Sequence, residues 1–596
     1  MNILQKTIER TSNTYKRDKF LPIVVIFSFI FFVLASILPY YQKEQSFLKF
    51  FSPDENANYV FTKLYAQTDT LSIFEKYNLI ADDIVRPRSY ISSSGFIKPV
   101  SFLGMTIIYG QIARFIGIGL IPFLTPFFAS MALIFYYLLI KKFFGRKNAL
   151  VSFFLFFSFP VLLYYSARSM FHNVLFLSFL IMALYFLSDL FERRVSSVKR
   201  YKEKYIKRLF GVDFLFSALS GLFFGLAIAV RSSELIWLFL AALPFFILKY
   251  KKLSFFRLSI FISFFILALI PVFCHNQILY NSPFYGGYFE MNKSIEEISQ
   301  AGGGIVRSFF LGSFNDVKVL TKSIFNTIFY FGFFPRQSLE MFDKYFVKMF
   351  WYLCWPTVFG LFYFFVKDRK RIKKFGPYLF SWLIASFFLI FYYGSWKFVD
   401  NPDPSSFTIG NSYTRYWLPI YIGFFPFVAH FVLNIGRIFF FLKNKKVYLY
   451  LKNSISLIVL IVLMFLSFKF VYDGSEEGLK YYFAKLDVAK EEVGRIIELT
   501  ESNAVVVTQY HDKFLFPERK VIVGRFNDDN MNKNYYKLAG YLPTYYYNFT
   551  FPESDLKYLN DRRLKEFGLQ IELVETLNQD FSLYKVYRPL PVFCVF

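Results

Sequence analysis

Residues 20–55 read FLPIVVIFSFIFFVLASILPYYQKEQSFLKFFSPDE. The apolar run 20–39 is long enough to cross a bilayer, since a helix needs about 20 apolar residues to span the hydrocarbon core. No small-residue cleavage site follows it, so it reads as a retained first helix and not as a removed signal peptide. Lys6, Arg10, Lys16, Arg17 and Lys19 precede it, which places residues 1–19 in the cytoplasm. The chain then turns polar and reaches two adjacent acids, Asp54 and Glu55.

Runs of the same kind recur outward from this stretch. Candidate spans are 20–39, 100–118, 120–140, 148–165, 169–191, 213–231, 233–249, 254–275, 347–366, 376–395, 415–436 and 453–472. Composition agrees: of 596 residues, 55% are hydrophobic and 87 are Phe, and mean hydropathy is +0.39. That is the composition of a polytopic membrane protein. The net charge of +26 does not point to nucleic acid, because the basic residues cluster between apolar runs and so read as topology. The clusters at 192–211, 249–252, 367–374 and 442–446 are expected in the cytoplasm. From an outer loop at 99 to an inner loop at 192 the number of crossings must be odd, yet four apolar pieces lie there. Gly104, Gly110, Gly117 and Gly119 single out 100–118 as the piece that fails to span. About 11 crossings result, with the C-terminus outside.

The outer segments are then 40–99, 276–346 and 396–414. The second contains AGGG at 301–304 and a short apolar piece, 324–335, expected to lie in the interface. The third is rich in Pro, Asn, Asp and Ser and reads as irregular. No internal repeat is visible, which counts against transporter folds built from paired repeats. After 472 the character changes. Residues 478–500 read as an amphipathic helix, 504–510 and 520–526 as strands, 556–568 as a helix stopped by Gly568, and 571–577 and 581–587 as strands. The expected architecture is an all-α polytopic membrane module, 20–475, followed by a small α/β extracytoplasmic domain, 476–596.

The loop 40–99 carries Asp54, Glu55, Asp82, Asp83, Arg86, Arg88 and Lys98. A carboxylate at a membrane surface can take a proton while cations hold a phosphate, which suits chemistry on a lipid-linked anion. The plain alternative is a solvated loop. Arg168, His172, Arg231, Glu234, Tyr285, Tyr288, Arg415 and Tyr416 sit at the expected outer ends of helices. Ionisable residues there are costly and point to function. Each also has a structural reading: Arg168 as a snorkelling anchor, His172 as a satisfied core residue, Arg231 paired with Glu234 on its own turn, and Arg415 as a helix-edge cation. Tyr541 and Tyr545 to Tyr547 either stack on sugar rings or pack, packing being the commoner role. Cys274, Cys354 and Cys594 imply no disulfide framework, and no Cys/His spacing matches zinc.

The ordered set of motifs resembles the GT-C superfamily of membrane glycosyltransferases, in particular the branch of protein O-mannosyltransferases and lipid A aminoarabinose transferases. The set comprises Pro53-Asp54-Glu55, Pro87-Arg88-Ser89, Lys98-Pro99, and Ser166-Ala167-Arg168-Ser169-Met170. It continues with Gly221 and Gly225 ahead of Arg231, Asn281 to Tyr288, and Ser412 to Pro419 with Arg415 and Tyr416. It runs over roughly residues 20–475. The resemblance implies a polyprenyl-phosphate sugar donor, a hydroxyl acceptor and transfer on the outer face with inversion, in a multi-pass protein of the plasma membrane. Asp54 would be the general base, and Glu55 would serve catalysis or bind acceptor. Arg88, Lys98, Arg231 and Arg415 would hold the lipid phosphate, with Arg168, His172, Tyr288 and Tyr416 around the substrates. The nearest branches need no metal or other cofactor and none is expected, although the oligosaccharyltransferase branch uses a metal. Two departures stand out: His172-Asn173 where many relatives have an acid, and Lys98-Pro99-Val100 in place of Lys-Pro-Pro. The competing readings are a polysaccharide polymerase and a transporter or flippase of lipid-linked glycans.

Overall fold

The computed structural model describes residues 18–192, 212–249, 254–288, 329, 332–367, 372–398, 400, 407–439, 444–474 and 477–589. Nearly all of the basic cluster 192–211, the AGGG stretch 301–304 and most of the expected interfacial piece 324–335 lie outside the described residues. The chain forms two compact units: Met1–Pro39, Pro122–Val272 and Ser294–Tyr481 in the first, and Tyr40–Ile121, Phe273–Lys293 and Tyr482–Phe596 in the second.

The first unit is helical. Its apolar sequence leaves long helices with no polar face, among them Leu124–Phe144, Val212–Val230, Ile372–Gly394, Leu418–Ile435 and Lys445–Asp473. Large apolar side chains such as Phe29, Phe255, Phe362, Phe387 and Phe465 are exposed on such helices; a lipid solvent rewards what water would penalise. Among the described residues, seven helices are long and apolar enough to cross a membrane, or nine if each of two bent pairs is one span. The chain is an integral multi-pass membrane protein. The expectation of about 11 crossings counts in addition shorter helices such as His172–Ser188 and Ser232–Ile247. Close packing follows from small residues. A Cβ at Gly221 would sit 2.2 Å from the Phe261 carbonyl oxygen, and one at Gly225 2.6 Å from that of Phe265. The helices Val212–Val230 and Phe255–Tyr280 thus meet backbone to backbone, as small residues four apart permit.

The second unit gathers three stretches. Its centre is a five-stranded sheet of β4 (Val505–Thr508), β5 (Lys520–Val523), β6 (Thr544–Phe549), β7 (Gln570–Thr576) and β8 (Phe581–Tyr587), in the order β5-β4-β6-β8-β7. β4 pairs in parallel with β5 and β6; β8 is antiparallel to both β6 and β7. Strand alternation sends Val505 and Val507 to one face and Val506 to the other. Tyr535 and Leu538 of the helix Asp529–Ala539 cover the first, together with Ala81 and Val85 of the loop 40–99. Ala489, Val493 and Ile496 of the helix Leu479–Leu499 cover the second, with Phe47 and Phe51 packed beside them. Residues of the first loop therefore complete both cores of the C-terminal sheet. The loop has its own three-stranded sheet, β1 (Ile73–Phe74), β3 (Phe96–Pro99) and β2 (Tyr90–Ser93), in that order. The helix Leu103–Ile116 also belongs here. Its 14 residues rise about 21 Å, short of a hydrocarbon core of about 30 Å. It packs on the helix Pro53–Thr68, where a Cβ at Gly110 would lie 2.6 Å from the Tyr65 ring.

Candidate active site

The helix Pro53–Thr68 begins at the acid pair because the sequence caps it there. Pro53 occupies the first turn, where its missing N–H costs nothing. Ser52 donates its backbone N–H to Glu55 Oε2 at 3.2 Å, the capping-box contact. Asn56 closes the preceding turn by bonding to the backbone of Phe50. The two acids thus separate. Glu55 is fully buried and serves the cap. Asp54 is half-buried in the first turn, where the helix dipole favours a carboxylate. Its Oδ1 accepts a 2.6 Å hydrogen bond from Ser89 Oγ.

Ser89 sits in the left-handed region, φ +63°, between Arg88 and Tyr90. Arg88 is held by Asp512 of the C-terminal stretch: its backbone N–H, Nε and Nη2 reach the carboxylate at 2.8, 3.1 and 2.6 Å. The Asp512 side chain is fully buried and that of Arg88 is 39% exposed. Lys98, on β3, donates to the Leu279 carbonyl at 2.8 Å and lies 5.8 Å from the Tyr280 ring. Among the described residues its ammonium has no carboxylate partner. Tyr280 OH bonds to the Pro99 carbonyl at 2.6 Å, and Tyr288 packs on Phe102 at 5.2 Å. This unit therefore holds Asp54, Glu55, Arg88, Lys98 and Tyr288. Ser89 lies in the motif Pro87-Arg88-Ser89 with no role expected of it, and Asp512 carries no motif. The signal for Asp512 lies only in its being an acid just past a buried parallel strand.

The first unit holds the other five. Arg168, Arg415 and Arg231 alternate with two rings. Phe171 lies 5.0 Å from Arg168 and 4.5 Å from Arg415, and Tyr416 lies 5.3 Å from Arg415 and 4.9 Å from Arg231. Each contact is worth about 0.5–2 kcal/mol, more where water is excluded. Arg168 also donates to Tyr164 OH at 2.9 Å. Arg415 donates to Ser412 Oγ at 2.8 Å, and that hydroxyl donates to Asp400 at 3.0 Å. Arg231 is buried and bonds to Glu234 Oε1 through Nη2 at 2.6 Å and Nε at 2.8 Å. Tyr393 OH donates to the same oxygen at 2.6 Å, and Trp237 Nε1 donates to Oε2 at 2.5 Å. Arg231 is thus paired on its own turn, and Tyr393 stacks on Tyr416 at 4.4 Å. His172 is buried where the helix His172–Glu192 starts. Tyr545, Tyr546 and Tyr547 are buried in β6, in the packing role. Among the described residues no three His, Cys, Asp or Glu side chains are grouped as metal ligands.

No protein-family model matches the chain, and no curated protein matches it in sequence. Solved structures match its fold. The oligosaccharyltransferase of Archaeoglobus fulgidus, in its apo form, aligns with TM-score 0.53 and 12% identity over 93% of this chain and 72% of that one. The same enzyme tethered to an acceptor peptide containing the NVT sequon aligns with TM-score 0.53 and 12% identity over 96% and 74%. ArnT from Cupriavidus metallidurans, bound to undecaprenyl phosphate, aligns with TM-score 0.50 and 10% identity over 96% of this chain and 98% of that one. The architecture is a polytopic helical membrane module joined to a small α/β sheet. More particularly it is the GT-C fold, as the ordered motifs led one to expect.

Proposed function

We propose that the protein transfers a sugar from a polyprenyl-phosphate donor to an acceptor hydroxyl, on the outer face of the plasma membrane with the N-terminus in the cytoplasm. The observation that carries this reading is Asp54: a half-exposed carboxylate in the first turn of a capped helix, within a fold that ArnT bound to undecaprenyl phosphate shares. Asp54 is the general base. It takes the proton of the acceptor hydroxyl as that oxygen bonds to the anomeric carbon. The bond from that carbon to the phosphate oxygen breaks, the configuration inverts, and the polyprenyl phosphate leaves with one more negative charge. Lys98, a cation with no carboxylate partner among the described residues, stabilises that charge. Tyr288 lines the substrate region beside it. Arg168 and Arg415 form the second cationic surface, suited to an anionic group of donor or acceptor, with His172 and Tyr416 at its edge; Arg231, paired with Glu234, holds the Tyr416 ring. Arg88 and Glu55, each already engaged, support the base.

The test is transfer from a panel of radiolabelled polyprenyl-phosphate hexoses and pentoses in membranes carrying the wild type or Asp54→Asn. General-base assistance is worth about 10²–10⁴-fold, so Asp54→Asn lowers transfer by that factor at equal protein level. Equal transfer by both forms removes Asp54 from the mechanism. No transfer from any donor by correctly inserted wild type favours a transporter of lipid-linked glycans.

A further inference from the structure

We propose that Asp512, in the C-terminal sheet domain, is a positioning residue for Asp54, acting through Arg88 and Ser89; the inference rests on the reading of Asp54 as the base. Three consecutive residues carry it, each with a different partner. Arg88 gives three hydrogen bonds to the buried Asp512 carboxylate, one from its own backbone N–H. A fourth, from Nη2, reaches the Tyr510 carbonyl at 3.2 Å. Ser89 gives its hydroxyl to Asp54 Oδ1 at 2.6 Å. Tyr90 is buried, with Phe61 of the acid-bearing helix at 5.2 Å and Phe516 of the C-terminal stretch at 5.3 Å.

The backbone bond decides the assignment. A carboxylate that paired only with a guanidinium would fix a flexible side chain. Asp512 also takes the peptide N–H of Arg88, one link from Ser89, and so sets the backbone from which the Ser89 hydroxyl is aimed. Ser89 in the left-handed region is a conformation that persists only where its surroundings over-determine it. Arg88–Asp512 on one side and Tyr90 on the other supply that determination. With Oδ1 occupied by a donor, Oδ2 is the oxygen left to receive the acceptor proton. The domain thus acts on the chemistry without touching substrate.

The test uses the full chain, purified in nanodiscs, as wild type, Ser89→Ala, Asp512→Asn, Asp512→Glu, the double variant Ser89→Ala with Asp512→Asn, and Asp54→Asn. The readout is transfer with the radiolabelled donor panel, resolved into kcat and donor KM. Asp512→Glu keeps more of the wild-type kcat than Asp512→Asn, and the double variant falls no further than the larger single change. In transfer assays with the donor panel, kcat falls about tenfold in Ser89→Ala and Asp512→Asn while the donor KM stays within twofold. A kcat unchanged in Ser89→Ala overturns the inference, as do additive losses in the double variant or an effect confined to KM. Should Asp512→Asn fail to fold, Ser89→Ala and Asp512→Glu decide alone. An Asp54→Asn protein that still transfers overturns the base reading and this inference with it. An inactive Asp54→Asn beside a wild-type kcat in Ser89→Ala overturns this inference only.

Discussion

Two arginine–carboxylate pairs in this protein look alike and are built for different ends. In the helical unit, Arg231 and Glu234 are three residues apart, both buried, and closed off by Tyr393 and Trp237. In the other unit, Arg88 and Asp512 are 424 residues apart. There Asp512 is buried and Arg88 partly open. The first pair is a local solution to a local difficulty: a charge at the end of an apolar helix needs a counter-charge, and its own turn supplies one. The second ties two distant stretches of chain together and hands the result to Asp54 by way of Ser89. Removing the first should damage the fold, and removing the second should damage the chemistry.

The comparison breaks most visibly at Glu234. Glu234→Gln leaves the Arg231 charge buried without its counter-ion, which costs about 3–5 kcal/mol. A thermal unfolding scan in detergent should show a large fall in the midpoint. Arg231→Met combined with Glu234→Leu should recover part of it, because an apolar pair of similar volume needs no counter-charge, while Tyr393 and Trp237 each lose their acceptor. Transfer that collapses in the folded double variant would make Arg231 a working cation and bring the two pairs into one class.

Near the second pair lies a group that responds to pH. His511 is partly buried between Tyr547 and Phe581, each 4.8 Å away, with Glu492 at 3.7 Å from Nε2. Burial, with help from Lys513 and Arg88 and against Asp512, pushes its ionisation down to about 4 from the usual 6.5. The folded chain therefore binds fewer protons than the unfolded chain between those values. Stability from this group is complete above about pH 6.5 and is lost as pH falls towards 4, by about 2–4 kcal/mol in all. His511→Asn should flatten the dependence of the unfolding midpoint on pH across that window. A slope unchanged in His511→Asn would assign the acid sensitivity to another group.

Lys98 tests the cation assignments from the other direction. Hydrogen bonds to charged groups contribute about 1.5–3 kcal/mol. Lys98→Ala should accordingly lower kcat/KM for the donor by about 10–100-fold, with little change in the unfolding midpoint, since the neutral carbonyl of Leu279 loses one donor only. A larger stability change than activity change would make Lys98 a structural tie between β3 and the helix ending at Tyr280.

The contrast between the pairs also explains what the sequence could disclose. Periodic and local features were legible. The apolar runs are chemistry written continuously along the chain, and so is Arg231 beside Glu234. The strands 571–577 and 581–587 were found within a residue, and Gly568 stops a helical turn at φ +68°. The helix Asp529–Ala539 and β6 were not foreseen, although Asp528 caps that helix through the N–H groups of Asn530 and Met531. The tyrosines 545–547, weighed between sugar stacking and packing, lie on a strand and are core. Less legible still was anything joining remote stretches. Ala81 and Val85 completing a core of the C-terminal sheet, and Asp512 holding Arg88, follow from tertiary pairing that no window of sequence contains.

Glu55 offers the smallest effect and a sharp discrimination, because it neighbours Asp54 and differs from it in everything except chemistry. It is fully buried, and its carboxylate receives the Ser52 N–H. If its work is capping, Glu55→Ala costs about 1 kcal/mol in stability for the lost bond. Glu55→Gln, whose side-chain oxygen still accepts that bond, costs less. Transfer in Glu55→Gln should then fall by less than about tenfold, against the 10²–10⁴-fold expected for general-base loss in Asp54→Asn. The measurement is transfer by both variants in one membrane preparation with protein levels matched. A collapse in Glu55→Gln equal to that of Asp54→Asn would mean that the buried acid takes or shares the proton, and the helix cap would then be a catalytic element and not a support.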